Sequence, residues 1–370
     1  MRGGSALSSF LDCVKKNKRI STTTGEGKGG ACARGRVRAS LDIGIYDDTF
    51  DTTPTTPKYM GLGASKVVPL YIVLPYFNYC KFGRRKELFV NFLKHMADRP
   101  HIRVVVVEAM EVGDSCQLPK DALDGIFLYV SVETQHRIWI KESLINIGIR
   151  HMPSDWENVA WIDADLEFTN KDWVRETQTA LKVYDVVQLF QTCVGLGPHG
   201  EAIKTDKSFG FMYLRSGKPY TKTYKYGFWH PGYAWACSRR AYETMGGLID
   251  WGILGSGDHH MALALIQKVD SSHPGNIHAG YSQHLRDFEG RVKPLKLGYV
   301  PGTILHYWHG RMEDRRYRER WDILTNGKYD PNVDIYRTKN GLVQLSLTGL
   351  RLEAQISDYF VGRREDNMKL

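Results

Sequence analysis

Hydrophobic positions come in two rhythms along the first two-thirds of the chain. Residues 66–74 are apolar almost without interruption, which predicts a strand buried on both faces. Apolar residues at helical spacing follow over 84–97, then strand-forming runs at 102–108 and 126–131. Helical spacing returns at 139–149, and a short apolar strand is expected at 158–162. A helix over 173–183 and a strand over 185–190 complete the regular part. Strands alternating with helices predict an α/β fold with a mostly parallel sheet flanked by helices. The second half is less regular. It is rich in glycine and aromatics over 209–251, with helices expected at 258–267 and 313–324 and a late strand at 297–300.

Residues 1–63 break this rhythm. They are rich in Ser, Thr, Gly, Lys and Arg, and only 8–14 could form a short helix. They lack the apolar content for a core, so a poorly ordered extension is expected, and a chain starting near Gly61 should fold and keep its chemistry. The domain proper is placed at 64–330, with a nucleotide-facing half at 64–195 and an acceptor half and closing segment at 196–330. A helical appendage is expected at 331–370.

Composition narrows the function. A formal charge of +9 favours anionic partners such as nucleotides and phosphates. The basic residues are spread widely and form no nucleic-acid module, which argues against nucleic acid. The six cysteines include no C-x-x-C pair, so free thiols are expected. No apolar run is long enough to span a membrane and no secretory signal is visible, so a soluble, cytoplasmic protein is expected.

The chemistry centres on Asp163-Ala164-Asp165, directly after the expected strand 158–162. In open α/β sheets ligands bind beyond the carboxyl ends of the strands. Carboxylates there suit Mn²⁺ or Mg²⁺ shared with a substrate phosphate, although a lone D-x-D is often only a solvated loop. Downstream, His306-Tyr307-Trp308-His309 supplies two imidazoles that can face one site, making Asp165, His306 and His309 the metal candidates. Pro75, Tyr76 and Asn78 end the first strand with Arg84 close behind, a place for a nucleotide base and phosphate, although taken alone an ordinary surface βα loop with helix-flanking charge is the commoner explanation. Lys141 and Arg311, with other arginines of 311–320, can reach a diphosphate, although taken alone solvated surface charge is the commoner explanation of both. Tyr233, Trp235 and Trp251 offer faces for a sugar ring, or else pack the core. Asp258 follows Gly255-Ser256-Gly257, either as a helix N-cap or as a general base.

In this order the motifs resemble the GT-A fold of nucleotide-sugar-dependent glycosyltransferases, in particular the group holding the beta-1,4-galactosyltransferases and polypeptide N-acetylgalactosaminyltransferases. The resemblance covers about 67–320. Pro75-Tyr76-Phe77-Asn78 looks like that group's nucleotide loop, and Lys141 with Leu144-Ile145-Asn146-Ile147-Gly148 is similar to its donor-side helix. Asp163 and Asp165 sit where its D-x-D sits, whose second aspartate ligates Mn²⁺. Residues 232–242 resemble its G-x-x-x-A-x-S-R segment, and Gly257-Asp258 its G-E-D block, without the glutamate. His309 is the better match to the late metal ligand. The resemblance implies transfer of a sugar from a UDP-sugar to a carbohydrate acceptor, with donor contacts at Asp163, acceptor contacts at Gly257 and Asp258 as the base of an inverting reaction. Three other readings compete. A nucleotidyltransferase would need a glycine-rich, arginine-bearing loop in place of Leu74-Pro75-Tyr76-Phe77-Asn78. A metal-dependent hydrolase would use Asp163, Asp165, His306 and His309. A glycan-binding module would need neither metal nor nucleotide.

Overall fold

Alternate residues of the central strands serve two different cores, and that sets the architecture. In the computed structural model, Leu70, Ile72, Leu74 and Tyr76 enter one apolar cluster, while Tyr71, Val73 and Phe77 enter the other. A strand buried on both faces must be apolar at successive positions, which is why the first run shows no alternation. The structure describes residues 68–370 apart from 98, 100, 218 and 221–228. The expectations for 1–63, and Lys66 and Val67 of the first run, lie outside the described residues.

The strands are β1 (Leu70–Phe77), β2 (Ile102–Glu111), β3 (Leu128–Thr134), β4 (Asn158–Ile162), β5 (Leu166–Phe168), β6 (Val186–Gln188), β7 (Thr192–Leu196), β8 (Ala202–Ser208), β9 (Trp229–His230), β10 (Ala234–Ser238), β11 (Leu297–Tyr299) and β12 (Thr303–His306). The main sheet has the order β11-β6-β10-β4-β1-β2-β3. Only β10 runs against its neighbours, so the sheet is mostly parallel. Helices cover both faces. Helix α1 (Gly83–Ala97) lays Phe89, Phe92, Leu93 and Met96 on one, and α2 (Lys141–Arg150) lays Leu144, Ile145 and Ile147 on the other. Gly148 lets α2 approach closely, since an added Cβ would fall 2.5 Å from Val73 Cγ1.

A second sheet, β5-β12-β7-β8-β9, grows from the carboxyl ends of the first. The chain passes from β4 into β5, from β6 into β7 and from β11 into β12 with short joints. The first of those joints is Asp163-Ala164-Asp165.

Further along are α3 (Trp173–Ala180), α4 (Phe209–Arg215), α5 (Arg239–Met245), α6 (Gly257–Leu265), α7 (Ala279–Val292), α8 (Arg320–Asn326) and α9 (Glu353–Gly362). The basic helix expected over 313–324 does not form as one piece. Glu313–Arg315 is a single 3-10 turn, Arg316 turns left-handed at φ 45°, and α8 starts only at Arg320. Residues 331–370 contribute a hairpin, β13 (Ile335–Arg337) with β14 (Val343–Leu345), besides α9. Among the described residues no helix is long and apolar enough to cross a membrane, and Cys80, Cys116, Cys193 and Cys237 are free.

Candidate metal centre and active-site carboxylates

The loop from β4 to β5 is pinned on both sides. Asp163 N donates to Tyr233 O at 2.8 Å, tying it to the start of β10. Tyr307 N donates to Asp165 O at 2.8 Å, which carries the β5–β12 ladder one step further. Rigid backbone holds both aspartates, yet their side chains serve different partners.

Asp165 meets the two histidines at the end of β12. Its Oδ2 lies 2.9 Å from His309 Nε2 and 3.6 Å from His306 Nε2, and the two imidazole nitrogens are 3.3 Å apart. Asp165 Oδ1 is buried and has no hydrogen-bond partner. Arg315 Nη2 stands 2.7 Å from His309 Nε2. A guanidinium can only donate, so that nitrogen accepts and the ring proton sits on Nδ1. The Nε2 lone pair then faces a carboxylate oxygen at contact distance. Burial, reinforced by Arg315, pushes His309 down to about 4, so the ring is the neutral form that ligates metals. Three electron-rich atoms converging within 4.8 Å fit a divalent cation. Mg²⁺ favours all-oxygen shells with several waters, so two imidazoles favour Mn²⁺.

Asp163 turns to Lys141 at the start of α2. Lys141 Nζ is 2.6 Å from Asp163 Oδ1 and 3.1 Å from Asp258 Oδ2, on a side chain only 9% exposed. The lysine expected to reach a phosphate is therefore engaged by two carboxylates. Burial pushes Asp163 up to about 6 in spite of Lys141. Beside them Glu142 accepts from Trp139 Nε1 at 3.1 Å, and burial pushes it up to about 8. Its carboxyl occupies the space that a side chain at Gly257 would need.

Asp258 is the second residue of α6, and the cap position belongs to Ser256, left-handed at φ 74° with no side-chain capping bond. Capping therefore does not explain Asp258. The helix start is held instead by Arg320 Nη2, which donates to Ser256 Oγ at 2.7 Å. The side chain of Asp258 is 20% exposed, enough for a hydroxyl to reach it. The neighbouring His260 is fully buried between Ser272 Oγ (2.7 Å) and Tyr281 OH (2.8 Å), away from any metal role.

The aromatic candidates divide. Tyr233, left-handed at φ 83°, stacks on His230 at 4.1 Å and lies 4.9 Å from His306, so it borders the metal cluster. Trp235 is 0% exposed and its indole N–H donates to Pro231 O at 2.8 Å, so it is core and offers no face to a sugar. Trp251 is buried edge-on against Tyr281 and borders a side cavity of about 180 Å³ shared with His284 and Arg337. Of the nucleotide candidates, Pro75 and the buried Tyr76 end β1, and Asn78 closes the next turn through both the N–H and the carbonyl of Phe82, each at 2.9 Å. Arg84 Nε donates to Trp308 O at 2.9 Å, which links the start of α1 to the metal turn. Arg311 lies 3.7 Å from Glu313 and 3.8 Å from Asp314.

Arg315, one of the arginines of 311–320 expected to reach a diphosphate, is instead buried against His309, and three residues at the site were not singled out by the sequence: buried Arg363 and Glu365, and Asp366. Glu365 Oε2 approaches His309 Nδ1 to 4.0 Å. They sit far from the D-x-D in sequence, and no local spacing marks them.

No family model matches the chain, and no curated protein matches it. Among solved structures it is similar to a mutant of Drosophila beta-1,4-galactosyltransferase 7 in complex with manganese, UDP-Gal and xylobiose (13% identity, TM-score 0.38, 75% of this chain and 93% of that one). It is also similar to residues 1–349 of S. aureus TarS in complex with UDP-GlcNAc (10%, 0.42, 81% and 84%). A third is the mannosyltransferase PcManGT from Pyrobaculum calidifontis in complex with GDP-Man and Mn²⁺ (16%, 0.40, 70% and 63%). At such identities and TM-scores no residue role carries over from them.

Proposed function

We propose that this chain is a Mn²⁺-dependent glycosyltransferase that moves a sugar from a nucleoside-diphosphate donor to a hydroxyl acceptor. One observation carries the reading: a single loop joins a cation-seeking cluster at Asp165, His306 and His309 to a reachable carboxylate, Asp258, through Asp163 and Lys141. Asp165 and the two histidines would hold the ion, whose chemistry is to offset charge on the departing diphosphate. Asp258 accepts the proton of the acceptor hydroxyl as its oxygen bonds to the anomeric carbon and the bond to the diphosphate breaks. Attack from the face opposite the diphosphate inverts the anomeric centre. Lys141 positions Asp163 and Asp258 rather than binding phosphate. UDP is the expected nucleotide, from the sequence resemblance alone, and the turn from β1 into α1 is its expected place.

The test is a panel of nucleotide sugars with Mn²⁺, read by thermal shift and product formation. A ligand at about 100 times its Kd adds roughly 2.7 kcal/mol of stability. Asp165→Ala should fold, lose transfer and lose the Mn²⁺-dependent part of the UDP shift. A variant that binds Mn²⁺ and UDP as the parent does would remove the metal reading.

A further inference from the structure

The place expected for a nucleotide phosphate is filled by the chain's own carboxylates. Gly83 N and Arg84 N, the first amides of α1, donate to Asp366 Oδ2 (3.1 Å) and Oδ1 (2.7 Å). Arg85 forks onto Glu365, Nε to Oε2 at 2.7 Å and Nη2 to Oε1 at 2.5 Å, and Arg363 Nε adds a third bond to Oε1 at 2.7 Å. Glu365 is 2% exposed. Helix-start amides and a forked arginine are the groups that phosphate oxygens recruit. The same segment reaches the metal turn, where Trp308 Nε1 donates to Asn367 O at 2.7 Å and Gly310 packs on the backbone of 363–365. There the chain also supplies a cation, because Arg315 donates to the His309 nitrogen that would ligate the metal. The guanidinium and a metal ion cannot share that lone pair. Glu365 lies on the other side of the same imidazole.

We infer that Arg315 and residues 363–367 form an internal stand-in for a metal–diphosphate pair. Arg315 takes the place of the cation, Glu365 and Asp366 take the places of the phosphates, and donor binding requires the segment to leave. The inference rests on the proposed function and adds a self-occluded state to it. A purely structural strap would hold equally well through apolar contacts. This one holds through Arg85 and two helix amides, all of which a diphosphate would compete for. When a site is occluded nine-tenths of the time, apparent affinity is about tenfold weaker than that of the open site.

The experiment uses the full chain, titrated calorimetrically with UDP and Mn²⁺, beside E365Q/D366N and the milder D366N. Both variants should bind UDP more tightly, the double one by about tenfold. In the unaltered chain, amide exchange at 363–367 should accelerate on addition of UDP and Mn²⁺. D366N and the exchange experiment keep the test decisive if the double variant fails to fold. Unchanged or weaker affinity in the folded variants, or a segment that stays protected with nucleotide bound, overturns the stand-in. If neither parent nor variants bind UDP, or GDP titrated in the same way, with Mn²⁺, the glycosyltransferase reading falls and the stand-in falls with it. That pattern differs from a parent that binds while its variants gain nothing.

Discussion

Asp163 and Asp165 stand two residues apart on one loop, and their surroundings handle buried charge in opposite ways. Around Asp163 the chain brings its own cation, with Lys141 bonded to Asp163 and Asp258 together. Around Asp165 the neighbours are imidazole nitrogens, and the nearby Arg315 is engaged by His309. The first cluster is complete as it stands, because desolvated carboxylates are tolerated when paired and hydrogen-bonded. The second leaves Asp165 Oδ1 without a partner and sets lone pairs against each other. An ion belongs where the chain has gathered ligands without neutralising them, and the i, i+2 spacing alone could not say which aspartate that was.

The largest effect should separate Asp258 from the cluster it completes. Asparagine keeps an oxygen for Lys141, so Asp258→Asn should hold its stability and its Mn²⁺-dependent UDP binding. Its kcat should fall by about 10²–10⁴-fold. A retained kcat would reduce Asp258 to a holder of Lys141, and a product with the donor's anomeric configuration would also dismiss it as the base of an inverting step. Next in size is Lys141→Met, which leaves two carboxylates facing each other in a desolvated space. Breaking a buried pair by removing one partner costs about 3–5 kcal/mol, to be read from urea unfolding in the absence of metal. A loss below about 1 kcal/mol would mean that water already screens the cluster as it does an exposed pair.

A further effect concerns Glu142, whose folded value of about 8 lies above its ordinary 4.5. Between those values the folded chain binds more protons than the unfolded one, so stability falls as pH rises. The contribution is fully present below about 4.5 and lost as pH passes through about 8. Glu142→Gln removes this slope. The urea midpoint of the variant should gain on that of the parent between about pH 5 and pH 9. Parallel curves would place the carboxyl in water.

Local pattern was enough for the sheet and for part of the site. β1, β2 and β4 are apolar runs because both faces are buried, and a run of that kind can be read without knowing its neighbours. Asp165, His306 and His309 could be picked because D-x-D and H-x-x-H each lie within one turn or strand end, and the β5–β12 ladder does bring them together. The partner of Lys141 could not be read, since Asp258 lies on another helix and only packing joins them. Glu365 and Asp366 are hidden for the same reason, as nothing in their neighbourhood hints at Arg85. Asp258 shows the opposite failure. Its place before an apolar helix imitates a cap, but the cap is left-handed Ser256, two residues before Asp258. Helix α7 carries Tyr281, Leu285, Phe288 and Val292 at helical intervals, but Gly280 and Gly290 mask that pattern in the sequence.

The ladder between β5 and β12 also bears on how the chain is made. β5 leaves the ribosome soon after β4, but its hydrogen-bonding partner does not exist until residue 303 has been added. At about 5–20 residues per second the strand waits roughly 7–27 seconds with its edge unpaired. A three-residue strand is a poor template for stray pairing, which lessens the hazard of the delay. While translation continues, Asp165 has neither His306 nor His309 beside it. The cluster of Asp165, His306 and His309 is therefore a late product of synthesis, assembled after most of the surrounding sheet has already been made.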